Sequence, residues 1–142
     1  MRQVILAILL LSSAVPGLAQ GPLPVMPESL HWMNAPGIPG FQFAWVTGTG
    51  RDPGPYVLRV KLDAGTTIPP HTHPDERHTI VLAGTLYVGF TDVLDANKAV
   101  AIPAGAVYVT PANTPHFVLS KENGATYQEF GAGRTGTQFI DH

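Results

Sequence analysis

The chain has 142 residues, a length that suits a single domain. Eight Lys and Arg stand against ten Asp and Glu with no basic cluster, which argues against a nucleic-acid partner. The lack of cysteine excludes disulfides, thiol catalysis and finger-type zinc sites.

Residues 1–19 read as a secretory signal peptide. Met1-Arg2 gives a positive start, Val4 to Leu11 is an unbroken apolar run, and Gly17 and Ala19 are small residues at a cleavage site. The run falls short of the ~20 residues that span a bilayer. The mature protein is therefore expected in the periplasm or outside the cell, with no membrane contact after cleavage. Residues 20–40 are proline-rich and read as an irregular arm, in which His31 and Trp32 have structural roles.

From residue 41 the pattern is one of short strands. Phe41, Phe43 and Trp45 alternate, and after a turn Tyr56, Leu58, Val60 and Leu62 alternate with more polar neighbours. Further runs follow at 78–82, 85–91, 99–102, 107–110, 116–119, 125–130 and 137–140. Gly, Pro, Asn or Asp falls in nearly every gap. The best helical candidate, 92–100, is about one turn long. Many short strands at regular spacing predict an all-β sandwich or barrel over residues 41–142. Tyr87, Tyr108, Phe117, Tyr127 and Phe130 are expected in its core. Gln128 and Glu129 interrupt an apolar strand, so alternation turns one of them inward, where it needs a partner.

Chemistry concentrates at "PPHTHPDERHTIVLAG", residues 69–84. Residues two apart on a strand share a face, so His71 and His73 project together. His116 follows in "TPANTPHF", in a turn framed by Pro111 and Pro115. Three imidazoles from two segments make a facial nitrogen set suited to Fe, Mn, Ni, Cu or Zn, with open positions for water, dioxygen or substrate.

These residues resemble the motifs of small single-domain cupins. Gly65, His71, His73 and Gly84 match the first motif, and Pro111 and His116 match the second. Asn113 stands where that second motif has glycine, and Ser120 where it has asparagine. The resemblance covers about residues 41–140 and implies a jelly-roll barrel, or double-stranded β-helix, with a metal at its centre. Such proteins often pair as homodimers.

The motif's glutamate falls on Arg77, and Glu76 sits one residue early. Both cannot point inward on a regular strand. In one arrangement a tighter turn or a bulge brings Glu76 inward as a fourth ligand, with His78 on the same face as a general base. In the other, Arg77 points inward beside a three-His centre and clamps an anionic substrate. The first is favoured, because a carboxylate offsets metal charge and a guanidinium does not. The functional expectation is an exported metal-binding protein acting on a small organic molecule, by dioxygenase-type or Lewis-acid chemistry. A non-catalytic small-molecule binding or sensing module is the alternative.

Overall fold

The computed structural model describes residues 23–141, so the signal-peptide segment at 1–19 lies outside the described residues. Among the described residues nine strands form: β1 (Met33–Asn34), β2 (Phe41–Thr47), β3 (Gly54–Leu62), β4 (Thr67–Thr72), β5 (Arg77–Gly89), β6 (Val100–Pro103), β7 (Val107–Thr110), β8 (His116–Gly133) and β9 (Gln138–Phe139). They pair in the order β1-β2-β3-β8-β4-β9, while β5 joins β8 and carries β6 and β7. The pairings are antiparallel, and the sheet curls into a β-barrel. Among the described residues no helix is long and apolar enough to cross a membrane.

The alternation of β3 is realised directly. Tyr56, Leu58, Val60 and Leu62 are buried, and Val57, Arg59 and Lys61 are not. Ile68, Val81, Leu86, Val88, Val118 and Tyr127 complete the inner layer. Each such side chain contributes about 1.5–3 kcal/mol relative to exposure.

Two pairs of short runs in the sequence fuse into the long strands β5 and β8. The glycines inside them bend the chain without ending it. Gly84 has φ +71, and a Cβ there would run into the Gly124 carbonyl oxygen. The ladder between β5 and β8 shifts register on both sides of Gly84, so one strand serves two walls of the barrel.

The proline-rich arm is tied down at its end. Met33 and Asn34 pair with Phe43 and Gln42 as an edge strand, and the Lys61 ammonium lies 3.9 Å from the centre of the Trp32 ring. The barrel sheet thus begins before residue 41. The region 92–100 holds a single 3₁₀ turn, Ala96–Lys98, capped by the Asp95 carboxylate on Asn97 N–H. Phe130 is a correction to the expected core: it is 42% exposed, because its neighbour Glu129 takes the inward position.

Candidate metal centre

His71 and His116 are direct cross-strand partners in the β4–β8 ladder. Opposed side chains on one face of a sheet stand about 4.5–5.5 Å apart at Cβ, and here the ring centroids are 4.2 Å apart. His73 lies just beyond β4 and keeps the same face. Its carbonyl accepts a 2.7 Å hydrogen bond from Asn113 N–H, which locks the strand end to the turn before β8. Its ring lies 4.8 Å from His71 and 5.2 Å from His116. The three rings are buried, and their ligand-capable atoms fall within 4.8 Å of one another.

Asn113 sits in the Pro111–Thr114 turn with φ +57, closed by a Thr114 N–H bond to the Pro111 carbonyl. Asparagine tolerates this left-handed conformation better than most residues, so it replaces glycine here without loss of the turn. Ser120 is buried. Its hydroxyl donates to the Asp63 carbonyl at 2.5 Å and accepts from Thr66 N–H at 3.2 Å, tying β8 to the turn that precedes β4.

Hydrogen bonding assigns the imidazole tautomers. Nδ1–H of His71 donates to the Pro69 carbonyl at 2.7 Å, that of His73 to Gly136 at 2.7 Å, and that of His116 to Thr114 at 2.9 Å. A carbonyl oxygen only accepts, so every Nδ1 carries hydrogen and every Nε2 keeps a free lone pair. Burial holds the rings neutral. It drives the His71 and His73 pKa values down to about 3, helped by the neighbouring His116 for His71 and by the Arg77 charge for His73, and it lowers that of His116. Three neutral, converging Nε2 atoms are the donor set that a divalent transition metal takes.

Glu76 does not join them. The ladder pairs Arg77 with Thr110 and His78 with Val109, and no bulge intervenes, so alternation places Arg77 inside and both Glu76 and His78 outside. There His78 Nε2 lies 2.9 Å from Glu76 Oε1. The expected fourth ligand and the general base on its face are thus corrected: neither side chain reaches the histidine cluster. Nor is Arg77 an open anion clamp. Its Nη1 donates to Glu129 at 2.7 Å and its Nη2 to the Thr135 hydroxyl at 2.8 Å, while Asp75 lies 3.8 Å from its Nε. Asp75 is held in turn by the Tyr56 hydroxyl at 2.5 Å and by that of Thr135. One guanidinium thus faces two carboxylates.

The histidines and the Arg77–Glu129 pair open onto a cavity of about 270 Å³. Its other walls are largely apolar, with Phe41, Phe43, Trp45, Tyr127 and Phe139 among them. The arm adds Ala35 and Ile38, and the C-terminal segment adds Thr135 and Thr137. The Glu129 carboxylate was legible only as one half of an inward-or-outward choice with Gln128, which instead bonds Arg59 at 2.7 Å. The contribution of the Gly136 carbonyl carried no sequence signal.

Residues 58–126 match the cupin domain family. The chain carries a cupin domain. The chain is 34% identical over 90 residues to germin-like protein 1-1 of Oryza sativa subsp. japonica, covering 61% of this chain and 42% of that protein. It thus spans less than half the length of that relative. Among solved structures, the polyketide cyclase RemF from Streptomyces resistomycificus superposes with a TM-score of 0.71 over 86% of this cupin and 87% of that chain, at 13% identity. An oxalate oxidase superposes with a TM-score of 0.57 at 25% identity, covering 71% of this chain and 55% of its own. Enzymes therefore stand among the structural neighbours of this three-histidine cupin.

Proposed function

We propose that the protein is an exported, metal-dependent enzyme that binds a small organic molecule through an enol or phenol oxygen, with His71, His73 and His116 holding the ion. The observation that carries the reading is the convergence of three Nε2 lone pairs, each fixed by an Nδ1–H bond to a backbone carbonyl, at the edge of an apolar cavity. A bound Fe, Mn, Ni, Cu or Zn would supply Lewis-acid chemistry there, or redox chemistry if the ion is not Zn. The chain does the rest. Phe41, Phe43, Trp45 and Phe139 offer flat apolar contacts to the body of the molecule, and the enclosing barrel limits water. These walls suit a flat, mostly apolar compound better than a small dianion of the kind that an oxalate oxidase takes. Export is supported by the apolar run from Val4 to Leu11 after Arg2.

The test begins with metal analysis of protein purified without chelators. Wild type should carry about one transition-metal ion per chain and His73→Ala should carry none. Metal-free wild type, or a His73→Ala that keeps its ion, would overturn the reading. The loaded protein is then incubated with a panel of phenols and keto acids under air and under nitrogen. A second reading, a non-catalytic binding module, draws support from the histidine cluster, which among the described residues includes no carboxylate. It predicts saturable binding across the panel without turnover.

A further inference from the structure

The cavity holds one carboxylate for which metal binding gives no task. Of its lining residues only Glu129 is acidic, and it is 93% buried by its 7% exposure. Burying an acid this deeply in a mostly apolar wall is costly unless it has a partner, and Arg77 is that partner at 2.7 Å. The pair is linked to the histidine cluster through one atom. The Gly136 carbonyl accepts from Arg77 Nη2 at 3.4 Å and from His73 Nδ1 at 2.7 Å.

An enol or phenol must lose a proton to bind as an anion, and the cavity offers few places for that proton to go. The imidazoles are spent, since each Nδ1 already carries hydrogen and each Nε2 turns to the shared ligand point. Arg77 is already protonated and Tyr127 is a neutral phenol. The hydroxyls of Thr135 and Thr137 are far too weakly basic. Glu76 and His78 lie on the outer face. The Glu129 carboxylate remains. Its Oε2 accepts from Arg77, and among the described residues no side-chain hydrogen bond runs to Oε1, which leaves that oxygen for a guest.

We propose that Glu129 is the proton acceptor of this site and that Arg77 is the residue that positions it. The inference rests on the metal-centre reading above. In the step, the substrate O–H bond breaks, the proton passes to the Glu129 carboxylate, and the electron pair stays on the substrate oxygen. Neutral carboxylic acid and bound oxyanion are the products, and charge is conserved. The substrate class follows: molecules that arrive protonated at a single hydroxyl, enols and phenols. Dicarboxylates arrive already ionised, need no base, and meet the charge of Glu129.

The experiment uses the full chain loaded with zinc and 4-nitrocatechol, whose visible absorption band shifts on ionisation. It is run at a pH where the free probe is protonated. Wild type and the outer-face control Glu76→Gln should bind the probe in its ionised form. Glu129→Gln should retain zinc, bind the probe at least tenfold more weakly, and leave it protonated. If the probe ionises in Glu129→Gln as in wild type, Glu129 is not the acceptor. If wild type fails to hold zinc, or holds zinc and ignores the probe, the underlying reading falls and the proposal with it. Glu129→Gln leaves Arg77 buried without its anion, so a second variant guards against misfolding. Arg77→Met with Glu129→Gln removes both charges, and it must also leave the probe protonated; an ionised probe there overturns the proposal.

Discussion

Two side-chain pairs start one residue apart in this chain and lead opposite lives. Arg77 and Glu129 meet at 2.7 Å with side chains only 6% and 9% exposed, whereas His78 and Glu76 meet at 2.9 Å with side chains 56% and 54% exposed. Distance does not separate them; the pleat does. Successive side chains on β5 point to opposite faces, so a single register decides which charge is wrapped in the barrel and which stays in water. Inside, each charge has lost its hydration and depends on its partner. Outside, solvent screens both.

The largest expected consequence is at Arg77. Arg77→Met alone strands Glu129 in the cavity wall and should cost about 3–5 kcal/mol in urea unfolding. Removing both charges, as Arg77→Met with Glu129→Leu, should recover most of that loss. A double variant no more stable than the single would mean that the pair is held by more than mutual compensation, with Asp75 and Thr135 as the next partners to test.

The contrast between inner and outer histidines comes next. His71 and His73 bind protons more weakly in the folded chain, at about 3, than in the unfolded chain, near 6.5. As pH falls the unfolded state takes up protons first. The stability of the metal-free protein should be complete above about pH 6.5 and fall towards pH 3, by up to about 1.4 kcal/mol per pH unit for each imidazole. Replacing His71 with Gln, or His73 with Gln, should flatten that slope. Urea midpoints across the pH range measure both.

The smallest effect belongs to the exposed pair. Glu76→Gln and His78→Ala should each change stability by less than about 1 kcal/mol, with metal content unaltered. A Glu76→Gln variant that loses its metal would place Glu76 in the ligand set and overturn its assignment to the outer face.

The histidine triad was open to reading because its geometry is local. A spacing of two puts His71 and His73 on one face of any strand, and the Pro111–Pro115 turn marks the third histidine. Two of the three Nδ1 acceptors, Pro69 and Thr114, are also near neighbours in the chain. The all-β pattern was equally plain, since alternation at Tyr56 to Leu62 needs only one buried face. What the chain alone left open was the choice between Glu76 and Arg77, because it depends on register, and register is fixed by partners far away. Thr110 and Val109 on β7 hold β5 in phase. Glu129, 52 residues on, then supplies the anion that makes an inward Arg77 tolerable. The third acceptor, Gly136, lies 63 residues from His73 and acts through its backbone. Local periodicity thus determined which residues share a face, and tertiary pairing decided which face is the inside, because only the assembled barrel brings a buried charge its opposite.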